Sequence, residues 1–368
     1  MILLLHHRYR VPGGEERAVD DLAWLIRTEL GEDAGIITRD STALGRRRAA
    51  LGLLRGGLAP DEVAAAVRRT GARVVHAHNV QPTLGWRALA AARQAGARVV
   101  LHLHNYRLVC AIGTCFTRGE DCTRCHGRNT LPGVRLNCRG GSRAESAAYG
   151  AGLALWQERL AASADAFIVP SAFAHGRLEA LGARLGGRAH VIPSVQRAFA
   201  ERSTAASGTY AIYAGRLTAE KGVADAIAAC RLAGVPLVVA GDGPDAAALR
   251  AGAPEVRFVG RVGGDALAAL RAGAALALVP SRYAEILPLA ALEAMAAGLP
   301  LVASRAGGLA ELSPEPGLHR PGDVSAMAER ITALWGDAAA GEAALAVARE
   351  RTAPAVVAAR LRAVYDSA

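Results

Sequence analysis

Lysine is almost absent from this chain. Lys and Arg together number 43, and one of them, Lys221, is a lysine. Arginine serves wherever a generic cation suffices, so the one retained ammonium marks a position that needs a compact charge. Aromatic residues are scarce too, at 4%. That sets aside an aromatic-rich β-sandwich, whereas the abundant Ala, Leu, Val and Gly suit helices packed closely on sheets. No apolar run reaches bilayer length without an Arg, Gly or Pro interrupting it. The opening Met1-Ile2-Leu3-Leu4-Leu5-His6 lacks a basic n-region and is too short for a signal peptide, so it reads as a buried first strand and the protein as cytoplasmic. No Gly-x-Gly-x-x-Gly follows that strand, which argues against a nicotinamide-dependent dehydrogenase.

With 368 residues, 52% of them hydrophobic, the chain can bury two ordinary cores. Its formal charge of +10 points to an anionic partner. Arg46, Arg47, Arg48 and Arg55 lie beside Leu51, Leu53 and Leu54, a stretch that suits either a solvated helix face or peripheral contact with an anionic membrane at its inner face. Apolar strands alternate with Ala/Leu/Arg helical stretches from end to end, the pattern of parallel α/β architecture. Strands are expected at 1–5, 35–38, 73–77, 98–103, 166–169 and 189–192, then at 210–214, 236–240, 256–259, 275–279 and 300–303. The resulting division is a Rossmann-like domain at 1–192, a linker at 193–208, a second such domain at 209–352, and a helix at 353–368 returning to the first. Two doubly wound parallel sheets joined in this way bind ligands at the carboxyl ends of their strands, in a central cleft.

The second half carries the sharper chemistry. Arg216 and Lys221 lie on one strand-to-helix connection, Tyr213 to Gly222, where both charges can reach one anion. After the strand 275–279, Pro280 to Pro288 lead into a helix at Leu289 to Ala297, with Pro288 at its first position and Gly298 past its end. The positive end of that helix, with Arg216 and Lys221, makes a diphosphate site that needs no metal. Glu285 precedes the helix and Glu293 lies inside it, where a carboxylate can accept two ribose hydroxyls.

Gly215-Arg216-Leu217 with Glu220-Lys221-Gly222, the turn Gly241-Asp242-Gly243-Pro244, and Glu285-x7-Glu293 followed by Ala294-Met295-Ala296-Ala297-Gly298-Leu299-Pro300 occur in the order of a known family. The chain resembles the retaining glycosyltransferases of family 4, of GT-B fold, over nearly its whole length. The resemblance implies that Arg216 and Lys221 hold the diphosphate of a UDP- or GDP-linked sugar with the helix start at Pro288 and Leu289. It further implies that Glu293 binds the ribose, that Glu285 faces the sugar, and that no metal cofactor is required for the chemistry. Family members often carry a Gly/Phe-rich stretch after the first glutamate, where this chain has Ile286-Leu287-Pro288, which leaves the sugar open.

In the first half, Pro12-Gly13-Gly14 precede a helical pattern from Ala18 to Leu30, either an ordinary βα turn or a backbone approach to a ligand. By the resemblance, Gly14 reaches the donor phosphate or the acceptor. His102 and His104 share one side of their strand by alternation, and the resemblance places His104 against the sugar, as a catalytic residue beside Glu285, Arg216 and Lys221. His76 and His78 end the previous strand as cleft-lining or structural residues. Five of six cysteines crowd into an insertion at 110–141, where a Cys-x2-Cys knuckle with outlying thiols suits a structural zinc as well as buried free thiols or a redox-labile loop. A subset of the family bears such an insertion after His-Asn-Tyr-Arg. That likeness implies Cys110, Cys122, Cys125 and Cys138 as ligands, with Cys115 spare.

The expected activity is sugar transfer to a glycan, lipid-linked or small-molecule acceptor hydroxyl. A sugar-nucleotide epimerase or hydrolase on the same fold is the alternative. A zinc-stabilised nucleic-acid-binding protein would use the charge and the cysteines, yet it leaves the paired glutamates without a role, so no nucleic acid is expected. Lys221→Ala is expected to cut turnover strongly and leave folding nearly intact.

Overall fold

A computed structural model describes residues 1–9, 13–139, 142–313 and 315–367. Pro12 of the glycine loop, Gly140 and Gly141 at the end of the insertion, and Ala368 lie outside these residues. The chain divides into two compact units: Met1–Thr117 with Cys122–Val195 and the segment from Pro354 onward, and Gln196–Ala353 with Arg118–Asp121.

The first unit is built on a six-stranded parallel sheet of β1 (Ile2–Arg8), β2 (Ala34–Asp40), β3 (Val74–Ala77), β4 (Arg98–His102), β7 (Ala166–Val169) and β8 (Ala189–Val191), in the order β2-β1-β3-β4-β7-β8. The intervening β5 (Phe116–Thr117) and β6 (Glu120–Asp121) form a separate two-stranded sheet. Alternation along the strands decides the faces. Ile2, Leu4, Val74, Val100 and Ile168 pack on the helices Gly14–Thr28 and Pro354–Asp366, the latter contributing Val357, Leu361, Val364 and Tyr365. Leu3, Leu5, Val75, Val99 and Leu101 are buried on the other face, where the helix Gly85–Gln94 covers β3 and β4.

The second unit repeats this logic with β9 (Tyr210–Ala214), β10 (Leu237–Ala240), β11 (Arg257–Gly260), β12 (Ala274–Val279), β13 (Leu301–Ser304) and β14 (Leu318–His319), all parallel in the order β11-β10-β9-β12-β13-β14. Ala211, Tyr213, Val239, Leu276 and Leu278 face one core with Val223, Ile227, Met327 and Ile331. Ile212, Ala277, Val279, Leu301 and Ala303 face the other with Leu292, Met295 and Ala348. Helices thus cover both faces of each sheet, as in GT-B proteins. Strand order reverses between β1 and β3 in one unit and between β9 and β12 in the other. At such switch points the loops leaving the carboxyl ends diverge and open a binding crevice.

All eleven expected strands are present, with ends displaced by up to three residues. β14 and the β5–β6 hairpin were not expected. Each of those strands has two residues, too few for an alternation to register. The first helix begins at Gly14, not Ala18, because the Glu16 carboxylate accepts the Gly13 N–H at 2.7 Å and closes the N-terminus early. Pro288 is the N-cap of the helix Leu289–Ala296, one position earlier than expected. Among the described residues no helix is long and apolar enough to cross a membrane.

Candidate active site

In the second unit the loops after β9 and β12 leave the sheet on either side of its switch point. A short helical turn, Ala219–Lys221, carries Lys221, and Gly222 behind it adopts φ +70°. A Cβ on Gly222 would lie 2.0 Å from the Pro280 carbonyl oxygen, so only glycine lets the lysine turn press against the loop that follows β12. Arg282 fastens the same two segments, donating to both carboxylate oxygens of Asp225 at 2.7 and 2.5 Å and from its backbone to the Glu220 carbonyl at 2.8 Å. Gly307, at φ +63°, presses on the far side of the loop. A Cβ there would meet the Glu285 carbonyl oxygen at 2.1 Å.

This bracing brings Lys221 and Glu285 together. Lys221 Nζ donates to Glu285 Oε1 at 2.5 Å and to the Tyr283 hydroxyl at 3.2 Å, and sits 5.1 Å from the centre of the Tyr283 ring. Ser281 and Tyr283 donate to the same carboxylate at 2.5 and 2.6 Å. Glu285 is 5% exposed. Burial alone would raise its pKa, but the Lys221 charge and the bonds from Lys221, Ser281 and Tyr283 outweigh it and hold the carboxyl below its ordinary value. Burial, reinforced by the Glu285 charge, drives the Tyr283 hydroxyl well above the usual phenol range. Glu285 is therefore a fixed anion and not a proton donor.

Arg216 follows β9 on the same connection. Its side chain is half-exposed, with Glu220 as a partner at 3.6 Å, so the guanidinium is available to a ligand. Glu293, inside the helix Leu289–Ala296, pairs with Arg271, in the last turn of the preceding helix, in a nearly buried contact. No side chain caps the helix Leu289–Ala296, which leaves the N–H groups beside Pro288 and Leu289 to serve an anion. Ser281, Tyr283 and Arg271 were not singled out from the sequence. Arg271 is one arginine among dozens at the end of an Ala/Leu helix, and a lone Ser or Tyr in a loop carries no spacing signal.

In the first unit the histidines gather. His104 Nε2 lies 2.7 Å from His78 Nδ1, and His76 Nε2 lies 3.2 Å from His102 Nδ1. Burial depresses all four, His76 to about 3, so they are neutral imidazoles at pH 7. Beside them the first turn of the Gly14 helix is acidic. The Tyr9 hydroxyl donates to Glu15 at 2.7 Å and accepts from Asn105 at 3.1 Å, with the Arg107 guanidinium 5.0 Å from the ring centre. Burial raises the Glu15 pKa, whereas His6, 3.7 Å away, and bonds from the Gly13 and Tyr9 N–H groups overcome burial and hold Glu16 at about 2.

Cys110, Cys115, Cys122, Cys125 and Cys138 line one pocket closed by Phe116, Pro132 and Leu136. All are thiols outside any disulfide. A hydrogen bond to Cys115, aided by backbone N–H groups, pulls Cys110 down to about 6, into the range where a thiolate ligand forms at neutral pH. Cys115 is thus a hydrogen-bond partner of Cys110. Thiolates are donors that zinc takes, whereas burial, reinforced by the Cys110 charge, raises the Cys125 thiol in the same pocket.

Three kinds of likeness to known proteins bear on these units. A family model described as a glycosyl transferase 4-like domain matches residues 8–194, and one described as glycosyl transferases group 1 matches residues 208–337. The chain belongs to this glycosyltransferase family. It is 39% identical over 167 residues to a glycogen synthase of Mycobacterium tuberculosis, covering 42% of this chain and 40% of that protein. It is 36% identical over 156 residues to the sulfoquinovosyl transferase SQD2 of Arabidopsis thaliana, covering 38% and 29%. The chain therefore spans less than half the length of these curated relatives. Sucrose-phosphate synthase from Thermosynechococcus elongatus superposes with a TM-score of 0.71 at 19% identity, over 99% of this chain and 98% of that one. Anabaena HepE, solved in complex with UDP-glucose, gives 0.64 at 18% identity, over 98% and 97%. At these identities the likeness is one of fold.

Proposed function

We propose that the protein is a retaining glycosyltransferase that moves a hexose from a UDP- or GDP-linked donor to an acceptor hydroxyl without a metal in the chemistry. The observation that carries this reading is the buried, mutually fixed Lys221–Glu285 pair beside the exposed Arg216 guanidinium at the β9–β12 switch point. The complex of Anabaena HepE with UDP-glucose supports a nucleotide-sugar donor. As the C1–O bond to the diphosphate breaks, negative charge grows on the departing phosphate oxygen. Arg216, Lys221 and the uncapped helix start at Leu289 are preorganised to receive it. The acceptor oxygen bonds to C1 and its proton passes to the leaving phosphate. Glu285, held ionised, fixes the ammonium so that no reorganisation is needed as that charge appears. Glu293 takes the ribose hydroxyls, oriented by Arg271.

On the first unit, Gly13 and Gly14 lead into a helix whose opening turn carries Glu15 and Glu16. Two carboxylates there oppose a phosphate and favour acceptor hydroxyls, so this loop and His104 serve the acceptor and sugar side. The acceptor is a glycan, a lipid-linked glycan or a small hydroxylated molecule. Arg46, Arg47 and Arg48, all exposed on the helix Arg46–Arg55 with Leu51 and Leu54, suit contact with an anionic membrane. The test is a panel of UDP-, GDP- and ADP-sugars scored by thermal shift, followed by NMR of the product formed with the stabilising donor. Retention predicts a product with the donor's own anomeric configuration. An inverted product, or free sugar and nucleotide as the sole products whatever the acceptor, contradicts the reading.

A further inference from the structure

Six of the ten histidines stand on or next to three adjacent strands, β1, β3 and β4. Leu4 pairs with His76 across β1–β3, and His76 with Val100 across β3–β4. Two residues further on, the same register sets His6, His78 and His102 side by side, on the face whose lower layer is apolar Ile2, Leu4, Val74 and Val100. The rings of His76 and His78 stack at 4.8 Å and those of His78 and His102 at 5.3 Å. Among the described residues, this is where ligand atoms crowd most: one nitrogen each from His76, His78 and His102 lie within 4.8 Å of one another.

The hydrogen-bond balance of these rings does not close. Tyr365 on the Pro354–Asp366 helix bonds His76 Nδ1 at 2.6 Å, and the pairs His76–His102 and His78–His104 use one nitrogen of each ring. His78 Nε2 and His102 Nε2 remain buried without a hydrogen-bond partner among the described residues. A buried polar atom left unpaired is costly, so an apolar side chain would be more favourable at either position unless the nitrogens bind something. From this geometry we infer that His76, His78 and His102 form a binding site for one divalent transition-metal ion of the zinc, cobalt or nickel type, His76 exchanging its Nε2 contact with His102 for the ion while its Nδ1 stays bonded to Tyr365. Imidazole nitrogens are the preferred donors for such ions. The ion tethers β3 to β4 and, through the Tyr365 bond, to the C-terminal helix. Through His78 it also fixes the orientation of His104. It adds no step to sugar transfer, and the site stands whether or not the proposed reaction does.

The experiment is a cobalt titration of untagged, chelator-stripped protein followed by absorption spectroscopy. Cobalt bound at the histidines gives visible d–d bands without the near-ultraviolet charge transfer that thiolate ligands produce, which separates it from metal held by the cysteine pocket. One equivalent with that signature is expected in the wild type and in Cys122→Ser/Cys125→Ser. In His78→Gln, or in His102→Gln should the first fail to fold by circular dichroism, affinity for it should drop at least tenfold. The proposal is overturned if wild-type protein takes up no cobalt, if all bound cobalt carries the thiolate band, or if a folded histidine variant binds it as the wild type does.

Discussion

Lys221 does two jobs that pull against each other in any mutational test. Its ammonium is the compact cation proposed for the diphosphate, and it is also the charge that keeps Glu285 ionised while buried. Lys221→Ala is expected to reduce transfer by at least 100-fold. Contrary to the expectation from the sequence, it also destabilises the second unit, because a buried carboxylate stripped of its partner costs on the order of 3 kcal/mol. Turnover measured beside a denaturant melt separates the effects, and transfer at the wild-type rate would remove the lysine from the donor site. Arg271 is the residue the sequence hid. Arg271→Met keeps the stem and deletes the charge beside Glu293, so donor KM should rise tenfold or more while kcat changes less. An equal loss in kcat with unchanged KM would mean Glu293 does not bind donor. The cationic loop was legible because Lys221 is unique and its connection is bounded by Gly215 and Gly222. Arg271–Glu293 was not, because a pairing between two helices leaves no spacing in either one.

At the scale of elements, the parallel strands were readable from their apolar runs, and the helix at Leu289 from the proline before it and the glycine after it. What escaped were the two-residue strands and the first turn of the Gly14 helix, whose start is set by the Glu16 carboxylate reaching back to Gly13. The cysteine segment belongs with these short elements. Between Cys110 and Arg139 its regular structure is the β5–β6 pair and a five-residue helix, Leu131–Arg135, too little to hold a loop by backbone bonds alone. If zinc at this pocket supplies the missing order, chelation or Cys122→Ser/Cys125→Ser should lower Tm by several degrees and make the segment the first site of protease cleavage. Metal analysis finding no thiolate-bound zinc in freshly purified protein would reassign the cysteines as a buried thiol cluster.

For the molecule as a whole, the histidine row adds a loss of stability on acidification to that of depressed carboxylates such as Glu16 and Glu285. His76 titrates near 3 when folded, because burial disfavours its charge, against an ordinary value of 6.5. Its contribution to stability is complete above pH 6.5 and is lost as pH falls toward 3, since the unfolded chain takes up the proton that the folded one refuses. His78, His102 and His104 shift the same way. Each imidazole adds up to about 1.4 kcal/mol per pH unit within that window. Tm of chelator-stripped protein should therefore drop steeply from pH 6.5 to pH 4.5, and a flat profile would show that these rings are solvated.

The most direct test of a donor diphosphate gripped by the second unit is calorimetric titration of UDP, GDP and ADP into wild type and Arg216→Ala. The Arg216 side chain is half-exposed and its loss leaves the buried pair untouched, so both proteins should melt alike. Saturable binding of one nucleotide to the wild type, weakened at least tenfold in the variant, is the result predicted. Equal binding to both proteins, or none to the wild type, would contradict it.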